Sequence, residues 1–318
     1  MFYTREAVHL SSGTHYFFDM KKRIIVIGGG FAGLQFIKNL KPGMFDVVLI
    51  DRLNHHQFQP LFYQVATSQI EPTSISFPLR KIFQDRKDIT VRMADVLAAK
   101  PQNKSVMTTA GAFEYDFMVI ATGGKTNYNG NSELGKHTLS LKSTYEAIRI
   151  RNVILENFEN ILNSGENADE GLLNLVVVGG GPTGVELSGA FAEIKRDILP
   201  KDFPGIDFSR LKIYLLEGGD HTLNTMSPLA RRSSEKYLTG LGVDLRTGIF
   251  VRNYDGSTLE LSNGELLKSK NVIWTAGITG NIIDGLSPEV ITRAGRIKVD
   301  RTNRRSEERR VGKECRSR

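Results

Sequence analysis

Two glycine turns of one form, Gly28-x-Gly30-x-x-Gly33 and Gly179-x-Gly181-x-x-Gly184, constrain this chain more than any other feature. Each follows a short β-branched run, Ile24 to Ile27 and Leu175 to Val178, and each opens a helix-like stretch. In such a turn the first glycine permits a tight bend, the second lets the backbone approach a diphosphate, and the third packs helix on strand. The helix N-terminus then faces the phosphate charge. A lone glycine turn is weak, because surface loops use the same residues. Here Lys41-Pro42-Gly43 stops the first helical stretch, and a second apolar run, Phe45 to Ile50, delivers Asp51 21 residues after Gly30. An acidic side chain at that place accepts ribose hydroxyls. The second copy repeats the order and ends the run Leu211 to Leu216 in Glu217. Glu217 stands 33 residues after Gly184 because Asp197 to Arg210, with Pro200, Pro204 and Gly205, inserts a loop. A carboxylate there repels a 2′-phosphate and selects a dinucleotide that lacks one.

Beyond each turn the elements repeat. Ile89 to Val96 reads as a strand, Val106 to Thr109 and Ala112 to Tyr115 flank Ala110-Gly111 as a hairpin, and Phe117 to Ile120 leads into Ala121-Thr122-Gly123-Gly124. In the second half, Val243 to Phe250 precedes Thr258 to Leu261, the turn Asn263-Gly264 and Glu265 to Leu267, and Val272 to Trp274 leads into Thr275-Ala276-Gly277. Asn-Gly between apolar runs is a strong hairpin signal. The fold class expected is α/β: two doubly wound, Rossmann-like dinucleotide-binding domains, each a parallel sheet with a small antiparallel layer and its ligand at the strand ends.

Both ends of the chain stand apart. Residues 305–318, RSEERRVGKECRSR, match through RSEERRVGKEC the conceptual translation of a short-read sequencing adapter, and are read as an artefact. That string holds six Arg or Lys against three Glu, three of the seven net positive charges of the 318 residues. The remaining charge gives no nucleic-acid footprint. Met1 to Asp19 has neither periodicity nor the apolar core of a signal peptide, and Met20 opens Met-Lys-Lys-Arg-Ile-Ile-Val-Ile-Gly, so residues 1–19 read as a mis-called extension. No apolar run reaches the length of a membrane span. The single cysteine, Cys315, lies in the adapter-like string, which leaves residues 1–304 without disulfides, thiolate metal sites or redox-active cysteine pairs.

The stretch Asn54-His55-His56-Gln57-Phe58-Gln59-Pro60-Leu61-Phe62-Tyr63-Gln64-Val65-Ala66-Thr67, taken with Gly28-Gly29-Gly30-Phe31-Ala32-Gly33 and Gly179-Gly180-Gly181-Pro182-Thr183-Gly184-Val185-Glu186, resembles type II NADH:quinone oxidoreductases. These are peripheral membrane flavoenzymes of respiratory chains, in the superfamily of FAD- and NAD(P)-dependent flavoproteins. The resemblance covers Met20 to about Arg304. It implies an FAD domain made of residues 20–140 and 266–304, with an NADH domain, 141–265, inserted in it.

Carried over by position, Gly28, Gly30, Phe31, Ala32 and Gly33 should wrap the FAD diphosphate, Asp51 its ribose, and Val96 the adenine through backbone contacts, with Arg52 among the residues that bind the cofactor. Thr122 and Gly123 should approach the same cofactor. Gly179, Gly181, Gly184 and Glu217 take the corresponding roles for NADH. Glu186 matches a glutamate that the family places near nicotinamide and flavin, where it assists hydride or proton transfer; a carboxylate favoured by the first helical turn is the rival explanation. Two adjacent imidazoles without an acidic or sulfur partner make a poor metal site, so His55 and His56 are read as loop residues near the flavin and no metal is expected.

The resemblance also implies a membrane quinone as acceptor and a peripheral position at the cytoplasmic face of the cell membrane, and it leaves a homodimer open. Family members continue past Val299-Asp300 into a last strand ending in Gly-Asp and a membrane-binding segment, so this chain is expected to be C-terminally truncated. Two alternatives stand beside this reading: a soluble NADH-dependent reductase serving an electron-carrier protein, and a non-catalytic nucleotide-binding fragment.

Overall fold

The computed structural model describes residues 21–165 and 168–305. The expected extension at 1–19 and the adapter-like string from Ser306 onward lie outside the described residues.

The first half is built on a four-stranded parallel sheet in the spatial order Ile89–Met93, Asp46–Asp51, Arg23–Ile27, Phe117–Ile120. Side chains alternate along Arg23–Ile27. Ile24 and Val26 join Leu34, Ile37, Val47, Leu49 and Leu79 on one face, whereas Ile25 and Ile27 join Val48, Ile50, Ala99 and Val106 on the other. Both faces are therefore covered, and for that reason the strand reads as one unbroken apolar run. The helix Phe31–Asn39 lies on the first face. At nine residues it is too short to hold itself in water, and burial of Leu34 and Ile37 supplies what propensity does not. The opposite face carries the antiparallel layer Val96–Lys100, Ser105–Thr108, Gly111–Glu114.

The second half repeats this plan with an added edge. Its sheet runs Leu139–Ser140, Asn271–Trp274, Asn174–Val178, Lys212–Leu216, Asp244–Arg246, all parallel. Leu175 and Val177 point into one core and Val176 and Val178 into another. Helices Thr144–Ser164 and Pro182–Asp197 cover the first face, and the antiparallel layer Val251–Tyr254, Thr258–Leu261, Leu266–Lys268 covers the second. The Asn263-Gly264 turn closes its hairpin with Gly264 at φ +88°. The 21-residue helix Thr144–Ser164 starts at a Ser143-x-x-Glu146 cap: Ser143 Oγ accepts from the Glu146 N–H at 3.2 Å, and the Glu146 carboxylate accepts from the Lys142 N–H at 2.6 Å.

Strand pairing corrects both expected boundaries: the first half cannot run to residue 140, because Leu139–Ser140 is already an edge of the second sheet, paired to Asn271–Trp274. A return to the first half at residue 266 comes too early, because Leu266–Lys268 completes the second antiparallel layer and Asn271–Trp274 lies inside the second sheet, paired to Asn174–Val178. The internal repeat itself requires this: Asn271–Trp274 is to the second turn what Phe117–Ile120 is to the first. The crossing comes later, where Ile278–Gly280 runs antiparallel to the outgoing Gly124–Thr126.

Candidate functional site

The two glycine turns sit at the carboxyl ends of their central strands and share one geometry. The Gly28 N–H donates to Ile50 O at 2.8 Å, and the Gly179 N–H donates to Leu216 O at 2.7 Å. Gly28 and Gly179 hold φ of +106° and +109°, a region closed to ordinary side chains. A Cβ on Gly33 would strike the Gly28 carbonyl, and one on Gly184 the Gly179 carbonyl, so these glycines let each helix close on its strand. A Cβ on Gly30 or Gly181 would meet no protein atom within 4 Å. Sterically nothing in the chain itself demands glycine at those two places. The space above both is open, which is the room that a dinucleotide diphosphate would need.

Both helix N-termini are left bare for it. Gly30 and Gly181 are the N-caps, without a side-chain cap or an acidic residue in the first turn. The other two long helices are capped by Ser143 and Ser227. Among the long helices, the first-turn N–H groups, one fewer in the second helix because Pro182 has none, and the positive end of the dipole are thus left uncapped at the two turns alone.

Asp51 and Glu217 occupy matching places. Asp51 Oδ2 accepts from the Gly29 N–H at 2.6 Å and Oδ1 from the Leu53 N–H at 2.7 Å. Glu217 Oε2 accepts from the Gly180 N–H at 2.6 Å and Oε1 from the Gly219 N–H at 2.7 Å. An ionised carboxylate has about four acceptor positions, so both keep capacity for ribose hydroxyls. The longer spacing to Glu217 leaves its geometry unchanged, since the inserted segment, with its short helix Leu199–Asp202, lies before the strand begins.

Other expected positions gather around the first turn. Phe31 and Ala32 are exposed at the start of the helix. Arg52 points to solvent, 3.7 Å from Asp95 in a pair that is mostly exposed. Val96 opens its strand two residues after Ala94, whose N–H donates to Asp51 O at 2.9 Å. Thr122 Oγ1 donates to Asn281 O at 2.9 Å, Asn281 Nδ2 returns a bond to Thr122 O at 2.9 Å, and Gly123 O accepts from the Asn281 N–H at 3.1 Å. Asn281 and Gln57 escape a reading of the sequence. Gln57 Oε1 accepts from the Thr144 N–H at 2.8 Å and so ties the first half to the helix Thr144–Ser164. Only the fold brings these residues together, 87 positions apart in the chain for Gln57 and Thr144.

Glu186 is the fifth residue of Pro182–Asp197, just past the first turn that the rival explanation of its charge requires. As a residue it is exposed, yet partial desolvation of the carboxyl raises its pKa above the ordinary value. Its helix packs on Phe62–Ala66 of the first half. The expectation that His55 and His56 lie in a loop is corrected: they form the strand His55–Gln57 against Ser76–Pro78, and His56 is buried. No cluster of His, Cys, Asp and Glu suited to a metal occurs among the described residues. A cleft of about 610 Å³, lined by Arg23, Asp46, Asp88 and Asp116 among others, lies at the amino ends of the first sheet, opposite the turns. Ligands of open α/β sheets bind at the carboxyl ends, so the turns and not this cleft form the candidate site.

Comparison with known proteins agrees with this arrangement. The pyridine nucleotide-disulphide oxidoreductase family matches residues 22–310. Type II NADH:quinone oxidoreductase Ndh of Mycobacterium tuberculosis is 32% identical over 292 residues, which are 88% of this chain and 63% of that protein. The external alternative NAD(P)H-ubiquinone oxidoreductase B1 of Solanum tuberosum mitochondria is 30% identical over 278 residues, 81% of this chain and 48% of that protein. This chain therefore spans about half to two thirds of the length of these relatives. Among solved structures, NDH2 from Plasmodium falciparum in complex with NADH superposes with a TM-score of 0.76 at 23% identity, over 82% of this chain and 56% of that one. The sulfide:quinone oxidoreductase of Aquifex aeolicus gives 0.70 at 19% identity, over 88% and 65%. At such identities the structures speak for the fold alone. With two matching turns and a family match along nearly its whole described length, the chain belongs to the pyridine nucleotide-disulphide oxidoreductase family and has type II NADH:quinone oxidoreductases among its homologues.

Proposed function

We propose that this protein binds FAD at the first glycine turn and NADH at the second, and passes electrons from NADH through FAD to a membrane quinone. The observation that carries the reading is the duplicated cradle: two bare helix N-termini, each with a strand-end carboxylate and a glycine whose missing Cβ leaves room for a diphosphate. Backbone N–H groups at Gly30 and Gly181 hold the two diphosphates. Asp51 and Glu217 hold the riboses, and Glu217 rejects a 2′-phosphate by charge. Glu186, its pKa raised by partial desolvation, holds a proton more readily than a free carboxylate and is suited to proton traffic beside the nicotinamide. Bound FAD supplies the redox chemistry, and the chain supplies orientation. No residue from 21 to 305 is a cysteine, which removes the disulfide relay that the family name records.

The quinone, its membrane surface, the cytoplasmic side of that surface and a homodimer are the finer parts of this proposal. No described helix is long and apolar enough to cross a membrane. Flotation with liposomes tests the surface, and sedimentation tests the dimer. The central test is anaerobic: protein loaded with FAD is mixed with NADH while flavin absorbance is followed. Bleaching by NADH, reversed by a short-chain quinone, is the expected result. Flavin-loaded protein that stays oxidised overturns the proposal.

A further inference from the structure

The middle glycine of each turn is held at both of its peptide groups. At Gly180 the N–H goes to Glu217, and the carbonyl accepts from the Leu223 N–H at 2.7 Å. At Gly29 the N–H goes to Asp51, and the carbonyl faces His56 Nδ1 at 3.1 Å. A backbone amide does in the second half what an imidazole does in the first. The two loops that reach back have no common sequence, yet both end on the same oxygen of the repeated turn. That coincidence marks the carbonyl clamp as a requirement of the turn.

We propose that His56 is a positioning residue for the first nucleotide site: its Nδ1–H holds the Gly29 carbonyl and sets the peptide plane from which Gly30 presents its N–H group to the diphosphate. The inference rests on the reading of that turn as a dinucleotide cradle. A carbonyl oxygen only accepts, so the proton of this bond sits on Nδ1. The ring is well placed to keep that tautomer and orientation. His56 is 7% exposed and sits in the strand His55–Gln57, whose register against Ser76–Pro78 pairs it with Phe77. The Phe31 ring stands edge-on to the imidazole with centroids 4.9 Å apart, and Phe58 stands on Phe31 at 5.5 Å. Beneath the turn, Leu79 fills the space against Gly29, where a Cβ would come within 2.7 Å of its methyl. Gly29 is thus fixed from below by packing, at its nitrogen by Asp51 and at its oxygen by His56. When a ribose draws on the Asp51 carboxylate, the His56 bond is the part of the clamp that no ligand competes for.

Two polar variants separate the geometry of the bond from mere polarity. In His56→Asn the amide Nδ2 takes the place of Nδ1, two bonds beyond Cβ; in His56→Gln the donor lies one atom further on, at the place of Nε2. FAD dissociation constants are measured on flavin-stripped protein by fluorescence, with NADH titration of the same samples as the control on folding and on the second site. The expected result is His56→Asn within about threefold of the wild type and His56→Gln weaker by about tenfold, with NADH affinity unchanged in both. Equal FAD affinities for Asn and Gln, or a Gln variant that binds as tightly as the wild type, overturn the proposal. Wild-type protein that takes up no FAD overturns the dinucleotide reading itself, and is told apart because the failure precedes any substitution.

Discussion

The two halves share a plan but differ in how completely their sheets are covered. In the second, Asn174–Val178 and Asn271–Trp274 are buried at every position, between long helices on one face and an antiparallel layer on the other. In the first, the inner strands are buried likewise, but Phe117–Ile120, the counterpart of Asn271–Trp274, is an open edge and only partly covered, with Phe117 49% exposed. One scaffold therefore offers a stiff seat at the second turn and a more yielding one at the first. A central strand whose neighbour is itself flanked cannot relax around a misfit, whereas one beside an open edge can.

The sharpest way to break this comparison is to add one methyl to each half. Gly184→Ala drives a Cβ into the Gly179 carbonyl and within 2.9 Å of Thr275 Oγ1; Gly33→Ala drives one into the Gly28 carbonyl. Backbone cannot swing aside, so each costs about 3 kcal/mol. Thermal denaturation should show the larger loss at Gly184, and equal losses would remove the claim that the encased half is stiffer.

Acid should attack the first half. Asp88 accepts from Arg86 Nε and Nη2 at 2.8 and 2.7 Å and from the Gly43 N–H at 3.0 Å, in a pair with side chains 10% and 20% exposed. The guanidinium bonds hold the Asp88 carboxyl well below its ordinary value. A depressed acid contributes stability that is present above its unfolded pKa, about 4, and lost as pH falls through the folded one. Asp88→Asn should cost about 2 kcal/mol near neutrality and flatten the acid limb of a pH–stability curve. An unchanged acid limb would show that the pair does not hold the first half.

Smaller and more selective are Asp51→Asn and Glu217→Gln. Each keeps an oxygen for the glycine N–H but removes the charge, and each should weaken only its own nucleotide, by about tenfold or 1.4 kcal/mol. Glu217→Gln should also narrow the preference for NADH over NADPH. Loss of both nucleotides from either variant would mean that the sites are not separate.

The smallest effect belongs to alkali and the second half. Buried Tyr254 donates to Ser269 O at 2.9 Å, and burial pushes its hydroxyl up to about 12. An unfolded tyrosine ionises near 10, so stability falls as pH rises from about 10 toward the folded value. Tyr254→Phe should cost about 1 kcal/mol at pH 7 and remove part of that alkaline loss.

What could be read in the sequence is what local chemistry decides. The glycine turns and the Asn263-Gly264 hairpin depend on residues within a few positions of one another, and the carboxylates at Asp51 and Glu217 are marked by the apolar run that each one ends. The strand His55–Gln57 was hidden because its partner, Ser76–Pro78, lies 20 residues away, and a polar three-residue segment carries no alternation to betray it. The two-residue edge Leu139–Ser140 is shorter than any periodicity. The strand Asn271–Trp274 went to the wrong half because the boundary came with the resemblance, against the internal repeat. Ser143-x-x-Glu146 was a cap in plain view, and its signal stands in the sequence without help from the fold.

Where the chain leaves the first half and returns, its two passages lie side by side, with Gly124–Thr126 hydrogen-bonded to Ile278–Gly280 and Thr122 bonded reciprocally to Asn281. Mechanically, this makes a short two-ply ribbon in place of two independent tethers. Such a ribbon resists sliding of one ply on the other and yields most easily by twisting about its length. Any relative turn of the halves is thus delivered as torque to Thr122 and Gly123, beside the first nucleotide site, so a change in the posture of one half is felt at the cofactor seat of the other.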